Sequence, residues 1–477
     1  MFISAKTLKL SQRFFILLGF LLAISTLFIS LPREVLALLV LLIALSLWIS
    51  EALPVAVTAL FVPVLAIFTG ILSPEDAFSA FGSPVVLLLV SVLILTRLVV
   101  SSGLAERITV HLLSGPLMGS SLRSLCIGLS LVCWLVAWWI SNTAAAALFL
   151  PLVLALIPKL ENLLSSPEYM KNVRYRLLLT CGFIPSLGGM VTPVGSLPNL
   201  VSIEALRQEG INISFGTWMS FGGPISFVFV IIFLSLLEVL YPLPRVSLKG
   251  IKPELRKEKS KLKPISFDEK CVLFSFLVTV FLWLLPSIQQ NLELGFLESL
   301  ARRLTVHVSA IFGVFLLFSL KILGTDSKID WKAASGFDWG IILLFAGGLC
   351  LGKTVIEGGL PVYILNLTGI SEGEVSGSSL ASLVIPFTIL LSEFCSNTVA
   401  ASILVPSVLK LNPADVVLPV ITALSAGFGF MLPISTPPNA LVYGTGKLPL
   451  IKMIITGLIF DILGGFVLFI YFVILSN

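Results

Sequence analysis

Two triplets, Ser141-Asn142-Thr143 and Ser396-Asn397-Thr398, lie 255 residues apart and interrupt stretches that are otherwise apolar. Each is followed by an Ala-rich or small-residue segment and then a proline, Pro151 or Pro406. Serine and asparagine cap helix N-termini. A helix starting at such a triplet, near Thr143 or Thr398, therefore points free N–H groups and the positive end of its dipole at the break. The helix ending there presents free carbonyls, which suit a small hard cation. Neutral hydroxyl and amide side chains can serve either ligand. A second pair of segments lies 240 residues apart: Thr192-Pro193-Val194-Gly195-Ser196-Leu197-Pro198-Asn199 and Leu432-Pro433-Ile434-Ser435-Thr436-Pro437-Pro438-Asn439. Proline removes an amide donor and restrains the residue before it, so both segments are expected to open into short loops with accessible carbonyls. An interhelical hydrogen bond accounts for one polar triplet, and a proline kink for one loop. The recurrence of both motifs points instead to a ligand site.

The elements that must position these motifs are membrane helices. Of 477 residues, 57% are hydrophobic and 12% charged, and the mean hydropathy is +1.08. That composition excludes a soluble globular enzyme, a disordered chain and a nucleic-acid binder. A crossing needs about 20 apolar residues. The runs predict an all-α polytopic membrane protein with about 11 transmembrane helices, near 14–31, 34–50, 54–72, 83–101, 177–198, 219–241, 268–287, 304–323, 338–357, 416–444 and 450–475. Stretches 124–157 and 379–409 are too long for one crossing, and each is broken by a triplet. They are expected to be re-entrant helical hairpins with arms of roughly 12–16 residues, about 18–24 Å. The first apolar segment lacks a small-residue cleavage site and is followed by another span, unlike a signal peptide. With the N-terminus cytoplasmic and both hairpins re-entrant, 23 of the 30 Lys and Arg fall in cytoplasmic loops. That bias satisfies the positive-inside rule and places the C-terminus outside, in a cell (inner or plasma) membrane.

The motifs belong to a longer internal repeat. Phe81-Gly82-Ser83-Pro84 and Gly103-Leu104 recur as Phe337-Asp338-Trp339-Gly340 and Gly359-Leu360, and Trp48 pairs with Trp283. The expected organisation is an N-terminal helix (1–32), a first repeat (33–241) with hairpin 124–157, a basic cytoplasmic linker (242–267), and a second repeat (268–477) with hairpin 379–409. On this topology the repeats are inverted, and the site is expected at their interface near the midplane.

Ser-Asn-Thr twice, Gly195-Ser196-Leu197-Pro198-Asn199 and Thr436-Pro437-Pro438-Asn439 resemble the divalent anion/sodium symporter family. The similarity runs from about residue 34 to the end. That family carries dicarboxylates, citrate or sulfate. The resemblance implies a secondary transporter whose dimer-forming scaffold supports a transport domain moving as an elevator. By position, Asn142, Thr143, Ser196, Asn397, Thr398 and Pro437 would contact the anion. Ser141, Asn142 and Gly195 would hold one sodium ion, and Ser392, Asn397 and the Ser435 carbonyl another. One position departs from the family pattern: Leu197 stands where a first Pro-Pro-Asn loop has its leading proline.

The expected activity is sodium-coupled symport of a small dianion, a C4 dicarboxylate such as succinate, malate or fumarate. A sulfate or tricarboxylate carrier, or an exchanger, is the alternative. The chemistry asks for cations: a dianion in the membrane cannot stay unpaired, yet neither triplet nor either loop contains Lys or Arg. Helix N-termini supply only partial charge, so at least two sodium ions are expected in each transport domain. The expected partners are the dianion, sodium, lipid and a second copy of the chain.

Other signals carry less. Gly347–Thr354 matches GxxxxGK[ST], but inside an expected membrane span, where phosphate-loop chemistry has no strand to start from. Lys353 and Arg97 occupy the same repeat position and are expected to snorkel to opposite surfaces. His111 and His307 are too far apart for a metal site, and no nucleophile triad appears, so no enzyme is expected. The six cysteines read as small buried hydrophobes. Glu393, three residues before the second triplet, is a functional candidate because a charge at that depth is costly.

Overall fold

Apolar runs punctuated by proline, serine and glycine fold into helices, and no strand occurs among the described residues. A helix satisfies its backbone hydrogen bonds locally, which a lipid environment demands. The computed structural model describes residues 31–49, 52–113, 121–161, 164, 166–244, 262–292, 299, 303–322, 329–367, 377–413 and 415–476. Residues 14–30 of the expected span at 14–31 lie outside them, as does linker segment 245–261.

The first half contains α1 (Arg33–Ile49), α2 (Val55–Phe68), α3 (Pro74–Ser79), α4 (Pro84–Ser101), α5 (Leu104–Leu113), α6 (Leu122–Ala137), α7 (Asn142–Glu161), α8 (Pro167–Gly189), α9 (Leu197–Gln208) and α10 (Phe215–Leu240). The second contains α11 (Phe267–Leu292), α12 (Val306–Lys321), α13 (Trp331–Ala334), α14 (Trp339–Glu357), α15 (Leu360–Leu367), α16 (Gly377–Phe394), α17 (Asn397–Leu411), α18 (Val417–Ala426), α19 (Pro437–Gly444) and α20 (Leu450–Ser476). Local chemistry sets several starts. Ser83 accepts from the Val85 amide just before Pro84, and Ser121 and Ser124 form a reciprocal capping box at α6.

Six helices among the described residues are long and apolar enough to cross a membrane, from Pro74–Ser101 to Leu450–Ser476. Others, such as Val55–Phe68 and Val306–Lys321, are apolar but shorter. Leu277, Phe281, Phe315, Phe387, Ile462 and Phe466 are exposed on helix surfaces, an arrangement suited to lipid contact and unsuited to water. The arms flanking the triplets have 16 and 20 residues in the first case and 18 and 15 in the second. Two therefore exceed the length read from sequence, because α7 and α16 continue into Pro158–Glu161 and Gly377–Ser378, beyond the apolar stretch.

The halves cross over one another. Helix α9, after the first proline loop, packs on α17 and α18 of the second half, while α19, after the second loop, packs on α7 and α8 of the first. Phe183 of α8 and Phe229 and Phe233 of α10 meet Phe428, Phe430 and Phe460 from the second half. All six rings are fully buried. Such ring pairs add about 0.5–1.5 kcal/mol each beyond their area burial, so this cluster fixes one half against the other. At the edge, Arg107 of α5 binds Glu269 at 2.6 and 3.1 Å and the Lys263 carbonyl at 2.8 Å. The Glu269 hydrogen bonds hold its guanidinium above the ordinary range.

Candidate functional site

Both triplets sit at helix breaks. Helix α6 ends at Ala137 and α7 starts at Asn142; α16 ends at Phe394 and α17 starts at Asn397. Ser141 Oγ accepts from the Ala144 amide at 3.2 Å, whereas Ser396 makes no side-chain cap. Both proline segments are loops. Residues 190–196 follow α8 and residues 427–436 follow α18.

Each loop is closed by one asparagine. Asn199 Nδ2 donates to the carbonyls of Gly189 and Thr192, both at 2.8 Å. Asn439 Nδ2 donates to those of Gly429 and Leu432, at 3.0 and 3.2 Å. Donor and acceptors all recur at the 240-residue offset. Both asparagines are buried, at 1% and 0% exposure, so these bonds face no competition from solvent. Leu197 in place of proline has left this bonding intact.

The triplet asparagines point into the closed loops. One atom of the Asn142 amide lies 3.3 Å from the Gly195 carbonyl oxygen and 3.0 Å from that of Pro185. As nitrogen it donates to both. As oxygen it forms, with them, a cluster of three oxygens that a cation can hold together, so what binds there selects the orientation. A Cβ added at Gly189 would run into Asn142 Oδ1 and lie 2.9 Å from the Gly195 carbonyl. The cradle therefore requires glycine.

In the second half, Ser392 Oγ lies 2.7 Å from Asn397 Oδ1 and 2.8 Å from the Ala426 carbonyl oxygen, donating to one of them at a time. Gly429 faces this group: a Cβ there would come within 3.4 Å of Asn397 Oδ1 and the Ser392 carbonyl. The position equivalent to Ser392 at the 255-residue offset is Ala137, so the first cluster lacks that hydroxyl. Both clusters consist of neutral oxygens, a donor set that fits a hard monovalent cation better than a soft metal.

The remaining candidates lie around the clusters. Thr143 and Pro437 are exposed, Asn142, Ser196 and Asn397 are half-buried, and Thr398 is buried. Ser196 starts α9 without a side-chain cap. Its counterpart Thr436 caps α19 through the Asn439 amide. A hydroxyl not occupied in capping can turn to a ligand.

Glu393 is 2% exposed and accepts from the amides of Met431 (2.7 Å) and Leu432 (2.9 Å) and from Ser435 Oγ (2.5 Å). It holds the second loop. Where Glu393 would fall in the first half stands Trp138, whose carbonyl accepts from Thr192 Oγ1 at 2.6 Å. Lys353 lies inside α14 and pairs with Asp76 at 2.7 Å, so the GxxxxGK[ST] match forms no phosphate loop. Reading the sequence missed the part Asn199 and Asn439 play in closing the loops. Both carried a signal, as the shared last residue of the two loop motifs.

Comparisons with known proteins agree on the class of molecule. A family model described as a citrate transporter matches residues 45–427. A sodium-dependent dicarboxylate transporter of Staphylococcus saprophyticus is 30% identical over 444 residues, covering 90% of this chain and 83% of the relative. One of Staphylococcus aureus is 28% identical over 433 residues, covering 86% and 80%. Among solved structures, Neisseria gonorrhoeae MtrF, described as illuminating a class of antimetabolite efflux pumps, superposes with a TM-score of 0.51 at 13% identity. That match covers 83% of this chain and 82% of MtrF, and it speaks for the fold alone.

Proposed function

The chain belongs to the divalent anion/sodium symporter family, whose citrate-transporter domain spans residues 45–427, and from that premise we propose sodium-coupled symport of a C4 dicarboxylate such as succinate, malate or fumarate. The observation that carries the proposal is the pair of neutral oxygen clusters, one around Asn142 and Gly195 and one around Ser392 and Asn397. The first joins its triplet asparagine to the loop of the same half and the second to the last residue before that loop, each beside a helix N-terminus. In this reading Ser141, Asn142 and Gly195 bind one sodium ion, and Ser392, Asn397 and the Ser435 carbonyl bind the second. Asn142, Thr143, Ser196, Asn397, Thr398 and Pro437 bind the dianion between them. The half-charges of the α7 and α17 N-termini assist, and co-transported sodium supplies the balance that no Lys or Arg in these motifs can provide.

The crossing of α9 onto α17 and α18, and of α19 onto α7 and α8, supports two inverted repeats sharing one site. Re-entrant hairpins, an elevator motion, a homodimeric scaffold, a cytoplasmic N-terminus and an external C-terminus belong to the same proposal. The test is uptake of radiolabelled succinate, sulfate and citrate into proteoliposomes, with and without a sodium gradient. Succinate uptake driven by the gradient is expected. Sulfate or citrate preference would move the substrate assignment, and full-rate uptake in sodium-free choline buffer would replace symport with exchange.

A further inference from the structure

The two halves differ where the helix before each triplet meets the last helix of its repeat. Helices α6 and α16 start 255 residues apart, and α10 and α20 start 235 residues apart. A Cβ added at Gly222 of α10 would run into the Met190 carbonyl, and one added at Gly457 of α20 into that of Phe430, so the second pair matches in space as well. In this register Trp134, Trp138, Ser226 and Phe227 of the first half correspond to Ile389, Glu393, Asp461 and Ile462 of the second.

In the first half an indole fills the space between the two helices. Trp134 is 8% exposed, and its Nε1 donates to Ser226 Oγ at 2.8 Å. Its ring lies 4.9 Å from that of Trp138 and 5.8 Å from that of Phe227. In the second half the corresponding place is a cavity of about 440 Å³, a size suited to a small molecule. Ile389, Glu393, Asp461 and Ile462 all line it, and none of the proposed sodium or anion ligands does. Of its polar side chains, Ser382 donates to the Ser379 carbonyl, and Glu393 is engaged by the Met431 and Leu432 amides. Asp461 is 6% exposed, and its Oδ1 is buried without a hydrogen-bond partner. A stranded acceptor in apolar surroundings is costly, and this one stands where Ser226 accepts the Trp134 N–H. Ile462 and Phe466, also on the lining, are exposed on the helix surface, which leaves a way in from lipid.

We propose that this cavity binds a small aromatic molecule carrying a ring N–H, of the indole class. Its ring lies between α16 and α20 as Trp134 lies between α6 and α10, and its N–H donates to the Asp461 carboxyl. A carboxyl oxygen accepts such a bond in either protonation state. Among the described residues no basic side chain lines the cavity to compete for it. The bound ring braces α16, which carries Ser392, against α20.

The test is equilibrium binding of tritiated indole to the whole protein in phosphatidylcholine nanodiscs, corrected for empty nanodiscs. One saturable site per chain is expected. 1-Methylindole lacks the donor and should compete about tenfold more weakly, the worth of one hydrogen bond in a buried site. Asp461→Leu should weaken indole binding by a similar factor. Ile389→Trp supplies the first-half indole from the chain itself, so it should abolish binding and raise the melting temperature in detergent. Binding no greater than that of empty nanodiscs would leave the cavity to lipid chains and overturn the proposal. Equal competition by 1-methylindole would overturn it too, as would undiminished binding or a lowered melting temperature in Ile389→Trp. The methylated probe and Ile389→Trp leave Asp461 in place, so they decide the matter even if Asp461→Leu does not fold. None of these readouts depends on the dianion reading.

Discussion

Replacing Asn199 with alanine should loosen the first loop and raise the sodium concentration needed for uptake. The wild-type side chain donates to the Gly189 and Thr192 carbonyls at 2.8 Å from a position 1% exposed. Alanine leaves both acceptors without that donor. A buried polar group stranded in this way costs about 1–3 kcal/mol, so the pair represents about 2–6 kcal/mol, toward the low end if water enters the space. About 2 kcal/mol is roughly a 30-fold shift between the closed loop and a displaced one. The closed loop places the Gly195 carbonyl against Asn142. Where that shift leaves the displaced loop about ten times as populated as the closed one, and the displaced loop does not bind sodium, half-saturating sodium should rise about tenfold. The assay is initial succinate uptake in proteoliposomes across a sodium titration, with Asn439→Ala as the matched variant. Its bonds of 3.0 and 3.2 Å are longer, so its effect should be somewhat smaller. An Asn199→Ala protein with wild-type sodium dependence and wild-type thermal stability in detergent would refute the reasoning.

Gly189→Ala should abolish sodium-driven uptake while the protein still assembles, because the new methyl collides with Asn142 Oδ1 and the Gly195 carbonyl; retention of more than about a tenth of wild-type uptake would contradict this. Asn142→Ala and Asn397→Ala should each abolish uptake by removing a ligand shared between cation and anion. Wild-type uptake should depend on sodium with a Hill coefficient above one, and first-order dependence would argue against two ions. Lys353→Ala should leave succinate uptake within about twofold of wild type, since its partner Asp76 is exposed and the pair is screened. A large loss of uptake in that variant would revive a substrate role.

The sequence by itself determined the class of molecule, the positions of the breaks and the two loops. Those features follow from local chemistry: apolar run length, the donor that proline lacks, and the capping habit of serine and asparagine. It also marked Glu393 as costly without saying what held it. What the tertiary structure decided is which groups meet. Asn142 faces Pro185 and Gly195, Ser392 faces Ala426, and Lys353 reaches Asp76 across 277 residues of chain. That Glu393 and Asp461 line one cavity could not be read from the sequence, because no periodicity in α20 separates an acid facing protein from one facing lipid. The distinction comes from how α20 crosses α16. Helix propensity and hydropathy are properties of neighbours along the chain, whereas a ligand cluster depends on the angle and depth at which distant helices pack.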